Sequence, residues 1–354
     1  MRARSLTLVT LLSIMAIISI NATVYALQTS KNISSYGVIS KSIFPLKGIN
    51  YGWNDCGGAW ISNWLSTLWN ETKVRSDFAE MESMGIQIVR VYPGDVQWIN
   101  WDDAWDKGYQ GFNEYIVNVD KLFEIARDYG MKIIFVIHFA DCFRWSALTC
   151  PAQRQSYLNL MRDLAQRYKG EGAMYSFDLF NEPYWQIEKD EPSWWDSPSE
   201  ANVTAEVLHE YLQDCYLTIK NVSSERLVSV GEGGGPGGMF DKYFNYLMDI
   251  SDYAQIHVYE DPDWIEQNGL KAQTTHYDEI TKPIILAECG AAVPTGHLWD
   301  TAINAEALQK IWEEANKLGL KAILPWSFVD DNIINSITHE WYEGAYVIQN
   351  WSRH

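Results

Sequence analysis

The chain has 354 residues, 47% of them apolar and 14% aromatic, with 17 Trp and a formal net charge of −19. The apolar content excludes a disordered chain, and the acidic balance argues against a phosphate-rich nucleic-acid partner. Length alone would admit two domains, but no Pro/Gly/Ser-rich linker, internal repeat or low-complexity stretch divides the chain, so one domain is expected.

The N-terminus has the form of a secretory signal over residues 1–26. Arg2 and Arg4 supply the charged region, Leu6 to Ile20 is apolar, and Val24-Tyr25-Ala26 offers small residues for cleavage after Ala26. Secretion is therefore expected, with an uncleaved anchor as the alternative, although the run is shorter than the ~20 residues of a membrane span. No second apolar span follows, so no stable membrane partner is expected, and the protein is expected to be a monomer. Residues 27–45 are expected to be a short polar leader, and residues 46–354 to form the folded domain. Export gives meaning to the Asn-x-Ser/Thr sites at Asn32, Asn70, Asn202, Asn221 and Asn350. Of the five Cys, Cys142 and Cys150 flank one loop and are the favoured disulfide pair, whereas Cys215 lies in a helical pattern as a buried thiol.

From residue 47 onward a short apolar run, a loop rich in Trp, Asp and Gly, and a helix-period segment recur. Strands are expected at 47–52, 86–92, 132–138, 174–181, 226–231, 253–259, 283–288 and 321–327. Helices are expected near 72–84, 113–129, 151–168, 204–222, 239–250, 268–280 and 300–318. Strands that alternate with helices imply a parallel sheet, and eight such units imply a closed (β/α)8 TIM barrel as a single domain. The eighth helix is expected to be short or irregular, because Gly344 interrupts its best window.

In such a barrel the active site lies at the C-terminal ends of the strands. Two strands there end in a glutamate, Phe177-Asp178-Leu179-Phe180-Asn181-Glu182 and Ile284-Ile285-Leu286-Ala287-Glu288. Two carboxylates facing one another across a cleft are the machinery of glycoside hydrolysis. The other strand ends offer Arg90 and Tyr92, His138, Asn181, His257 and Tyr259, and Trp326.

This set, in this order, resembles glycoside hydrolase family 5 and its clan of (β/α)8 hydrolases, cellulases and mannanases among them. Arg90, His138, Asn181-Glu182, His257-Val258-Tyr259, Glu288 and Trp326 match the family's motif residues over roughly residues 45 to 330. The resemblance implies a retaining glycoside hydrolase with Glu182 as acid/base and Glu288 as nucleophile. It implies Arg90 and Tyr259 as supports of ionised Glu288, Asn181 at the sugar 2-hydroxyl and Trp326 as the floor beneath the sugar. His138 and His257 would touch the substrate or orient the carboxylates. The indoles of Trp98, Trp145, Trp185 and Trp264 are expected to stack on pyranose faces, and Asp95, Asp141 and Glu232 to line the rim.

Gly233-x-Gly235-x-x-Gly238 fits a dinucleotide fingerprint only formally, since it follows strand five and contains Pro236; it is taken as a tight loop at the cleft rim. No cofactor is expected, and the Cys and His spacings suggest no metal. The expected substrate is a β-linked polysaccharide or oligosaccharide, glucan or mannan, cleaved in endo fashion. A non-catalytic carbohydrate-binding barrel and a transglycosylase with the same carboxylate pair stand as alternatives.

Overall fold

Eight parallel strands, β1 (Leu46–Tyr51), β2 (Ile88–Val91), β3 (Lys132–His138), β4 (Met174–Asn181), β5 (Leu227–Gly233), β6 (Ala254–Tyr259), β7 (Ile284–Gly290) and β8 (Ala322–Pro325), pair in chain order and close β8 onto β1. The structure is a computed structural model that describes residues 45–52, 69–92, 110–139, 143–193, 196–292, 300–328, 333–335, 338 and 340–351. The chain divides into Met1–Ile43 and Phe44–His354. The first unit, with the expected signal and most of the leader, lies outside the described residues; the second is the (β/α)8 barrel. Among the described residues no helix is long and apolar enough to cross a membrane.

The helices between the strands are α1 (Glu71–Ser83), α2 (Gln110–Asp128), α3 (Ser146–Thr149), α4 (Pro151–Arg167), α5 (Pro183–Lys189), α6 (Ala205–Val222), α7 (Met239–Lys242), α8 (Phe244–Asp249), α9 (Pro262–Asn268), α10 (Thr301–Leu318) and α11 (Glu343–Asn350). Local capping explains several starts. Asn70, Thr204 and Asp300 each accept a first-turn N–H of the helix that follows. Ile49, Val89, Phe135 and Leu286 join the apolar layer shared with the helices, which explains the near-continuous apolar strands of the sequence.

Two helical expectations change, and the expectation of a short eighth helix holds. The helix expected at 239–250 is two short pieces, α7 and α8, separated at Tyr243. The one expected at 268–280 is absent: α9 ends earlier at Gly269, whose φ of +68° suits glycine, and two 3-10 turns follow, Leu270–Gln273 and Tyr277–Glu279. Asp241 holds the segment between those turns by accepting from Thr274 Oγ1 (2.5 Å) and Thr275 N (3.0 Å). The eighth helix exists as α11; Gly344 falls in its first turn, and Trp351 stacks on Trp312 of α10 with centroids 4.4 Å apart. Cys150 is a free thiol, against the expected pairing with Cys142, which lies outside the described residues. Cys215 is buried and free, and burial pushes its pKa up to about 12.

Gly48 of β1 sits where a Cβ would overlap Leu324 of β8 and Ile88 of β2, the strands on either side. Gly48→Ala should therefore overpack the sheet and destabilise the protein by about 1–3 kcal/mol. Urea unfolding followed by circular dichroism measures this; an unchanged midpoint would contradict the packing described.

Candidate active site

Arg90 of β2 is the centre of the polar cluster at the strand ends. Its side chain is fully buried, and its donors fan out to three other strands. Nε and Nη2 reach Asp178 Oδ2 of β4 at 2.9 and 2.7 Å, and Nη2 also donates to Asn181 Oδ1 (2.8 Å). Nη1 donates to Glu288 Oε1 of β7 (2.6 Å), to Asn50 Oδ1 of β1 (3.2 Å) and to the Tyr92 hydroxyl. Gln255 of β6 adds a second donor to Asp178 Oδ2 (2.5 Å), and Tyr253 donates to Gln255 in turn (3.1 Å). Asn50 also donates to the carbonyls of Ala287, Leu324 and Pro325, tying β1 to β7 and β8 at this level.

The two candidate glutamates occupy different environments. Glu288 has a side chain only 7% exposed, whereas Glu182 is 24% exposed. Tyr92 donates to Glu288 Oε1 (2.7 Å) and Tyr259 to Oε2 (2.7 Å). Burial opposes charge on Glu288, but His257, Arg90 and the two phenols together outweigh it and hold its pKa below the usual carboxylate range. Burial, reinforced by the charge of Glu288, pushes the Tyr259 phenol well up, so it stays a donor. His257 Nδ1 lies 2.7 Å from Glu182 Oε1 and 3.7 Å from Glu288 Oε2. Oxygens of Glu182 and Glu288 and a nitrogen of His257 all fall within 4.8 Å of one another. These three could in principle ligate a metal, but the charge of Arg90 on Glu288 opposes a second cation there.

Breaks in the strand pleat aim these side chains. In β4, Asp178 faces Arg90 and Gln255, and a regular period of two would send Phe180 the same way. Phe180 instead packs on Phe143 and Trp145, and the register shifts between Asp178 and Asn181, which delivers Asn181 to Arg90. In β7 a shift between Leu286 and Cys289 does the same for Glu288, since both flanking residues belong to the outer apolar layer. Bulges of this kind re-aim side chains next to active sites. Gly231 of β5 is required by proximity: a Cβ there would overlap the side chains of Gln255 and His257.

The structure gathers Arg90, Asn181, Glu182, His257, Tyr259 and Glu288 in one cluster, and Trp326 joins it edge-on to Tyr92 with centroids 5.5 Å apart. Other expectations land elsewhere. The His138 ring packs among Phe143, Tyr157, Phe180 and Tyr211 and shares a 2.7 Å hydrogen bond with the Tyr211 hydroxyl of α6, so it braces the loop and helix behind the site. Trp145 is fully buried in the same aromatic cluster and presents no face to a ligand. Trp264 lies on α9 packed against the core, and Trp185 is half-buried in the first turn of α5. Trp98, Asp95 and Asp141 lie outside the described residues. Glu232 is not on the rim: β5 runs two residues further than expected, and the side chain is fully buried. Asn50, Asp178 and Gln255 were not anticipated; the available signal was a polar residue inside an otherwise apolar run.

Residues 52–332 match the family model for cellulase, glycosyl hydrolase family 5. Among curated proteins, the chain is similar to mannan endo-1,4-beta-mannosidase A of Aspergillus aculeatus, 22% identical over 314 residues that cover 75% of this chain and 76% of that protein. Among solved structures, beta-mannanase from the blue mussel Mytilus edulis superposes with a TM-score of 0.61 at 17% identity, covering 86% of this chain and 91% of that one. Beta-1,4-D-mannanase from Cryptopygus antarcticus gives 0.61 at 15% identity, with 86% and 89% covered. Those structures share the fold.

Removing Arg90 would leave Asp178 and Glu288 as uncompensated buried carboxylates, so Arg90→Met should cost about 3–5 kcal/mol of stability near neutral pH. The Glu288 pKa is depressed in the folded state, so its contribution is present above the ordinary carboxylate pKa and is lost as pH falls through its folded value. The gap between parent and Arg90→Met should accordingly narrow as the pH drops. Chemical unfolding of both proteins across that range measures it, and a gap that is constant or widens on acidification would contradict the ion network.

Proposed function

The chain belongs to glycosyl hydrolase family 5, and from that premise we propose that it is a secreted endo-β-1,4-mannanase working by a retaining double displacement. The observation that carries the mechanism is the carboxylate pair. Glu182 and Glu288 oxygens lie within 4.8 Å, whereas an inverting pair keeps its carboxyl groups about 6.5–9.5 Å apart to admit a water. Mannan is favoured over glucan because the curated relative from Aspergillus aculeatus is named as a mannan endo-1,4-beta-mannosidase. Export is supported by the charged and apolar run from Arg2 to Ile20 with Val24-Tyr25-Ala26 behind it.

In this reading Glu288 is the nucleophile. Its carboxylate is held ionised by Arg90, Tyr92 and Tyr259 and attacks the anomeric carbon. The bond to the glycosidic oxygen breaks as Glu182, the more exposed acid, gives that oxygen its proton. Glu182 then takes a proton from water, which attacks the glycosyl-enzyme and returns Glu288 to its carboxylate, leaving the β anomer. With its proton on Nδ1, His257 donates to Glu182 and orients it. Asn181 gives its oxygen to Arg90 and so turns its amide N–H groups toward the sugar 2-hydroxyl. Trp326 supplies the apolar floor. A carbohydrate-binding barrel without catalysis has less support, since both carboxylates and their donors are in place.

Glu182→Gln and Glu288→Gln should each lower kcat on β-mannan by at least about a hundredfold, with the fold retained. Proton NMR of the parent reaction should show the β anomer first; the α anomer first would sink the retaining reading. A product profile on galactomannan, glucomannan and cellulose derivative should show mannan-containing substrates cleaved best, and cleavage of the cellulose derivative alone would overturn the mannan assignment. Tyr259→Phe removes a donor that lowers the Glu288 pKa, so the acid limb of kcat/KM should move to higher pH; an unmoved limb, or one that moves to lower pH, would contradict that role.

A further inference from the structure

We propose that Glu232 is a positioning residue for Glu182, its buried carboxyl group capping the helix that follows Glu182 and thereby fixing the backbone from which Glu182 reaches the cleft. The inference rests on the reading of Glu182 as the acid/base.

The first N–H groups of a helix have no partner inside it, and the residue just before the helix ordinarily caps them with its own side chain. For α5 that residue is Glu182, and its side chain makes no capping bond. Its Oε1 lies against His257 instead. The cap comes from the neighbouring strand: Glu232 Oε1 accepts from Tyr184 N (2.5 Å) and Trp185 N (3.3 Å), while Oε2 accepts from Gly233 N (3.4 Å). Handing the cap to Glu232 leaves the Glu182 carboxyl free for chemistry.

The clamp is needed because the Glu182 backbone is in the left-handed region, with φ +48° and ψ +50°. A residue with a Cβ adopts that conformation only where its surroundings impose it. β5 imposes it from two sides. Gly231 O accepts the Glu182 N–H (3.0 Å), and Glu232 accepts the N–H groups two and three residues later. Tyr184 is held again by stacking on Tyr243, with centroids 4.3 Å apart. Burial, and after it the charge of Glu182, pushes the Glu232 pKa well up.

The test compares Glu232→Ala, which removes the acceptor, with Glu232→Gln, which keeps an oxygen in its place, and with Glu182→Gln. kcat/KM is measured on mannopentaose, a poor leaving group that needs proton donation, and on dinitrophenyl β-mannobioside, a good one that does not. Cello-oligosaccharide counterparts replace them if the parent turns over only those. Glu232→Ala should lose at least about tenfold on the oligosaccharide and under about threefold on the dinitrophenyl substrate, and Glu232→Gln should recover most of the loss. A parallel loss on both substrates, or no loss on either, overturns the inference. If Glu232→Ala does not fold, Glu232→Asp, which withdraws the acceptor by one methylene, must show the same split in weaker form, and a parallel loss there overturns it equally. Glu182→Gln separates the two claims: without the leaving-group split in that variant it is the acid/base assignment that fails, whereas a split there and none at Glu232 rejects the positioning role alone.

Discussion

A single buried guanidinium organises the mouth of this barrel. Arg90 is fully enclosed, and enclosing a charge costs several kcal/mol unless partners compensate it. It is compensated twice, by Asp178 inside the barrel and by Glu288 at the cleft, with Asn50, Asn181 and Tyr92 taking up the remaining donors. One cation between two carboxylates explains why Glu288 also draws on two phenols. The planar fork of an arginine can serve several acceptors in fixed directions at once, which a lysine in the same place cannot. Strand β2 thereby sets the position of groups on β1, β4 and β7.

The two glutamates differ because only one of them is held by this cation. Glu288 is deep, ion-paired and doubly hydrogen-bonded; Glu182 is more exposed, lies against His257 and stands on a left-handed backbone clamped by β5. Chemically similar side chains are thus given different surroundings, and those of Glu288 favour its charged form. The pleat is broken where this is arranged, in β4 before Asn181 and in β7 around Glu288.

Much of this was legible in the chain. Eight apolar runs alternating with helical patterns placed the strands closely, and strand ends carrying Arg90, Asn181-Glu182, His257, Tyr259 and Glu288 located the cluster. Inside the strands the polar residues were lost, because Asn50 and Asp178 are single polar positions in apolar runs and periodicity averages over them. Trp145 was misassigned for a related reason: sequence places a residue near a strand end but does not show which way its side chain turns, and Trp145 belongs with His138 to the aromatic cluster around Phe143 and Phe180. Glu232 was placed on a rim because β5 was ended too early. The segment after Gly269 has helical spacing, yet tertiary hydrogen bonds that Thr274 and Thr275 donate to Asp241 hold it in another form.

The central claim is that the carboxylate held by Arg90 is the one that forms a bond to the sugar. Incubation with an activated 2-deoxy-2-fluoro glycoside, which slows release of a covalent intermediate, followed by mass spectrometry of the digested protein, tests this directly. The account predicts one added glycosyl group, carried by the peptide containing Glu288. Labelling of Glu182 instead, or turnover of natural substrate with no adduct and an inverted product, would contradict it.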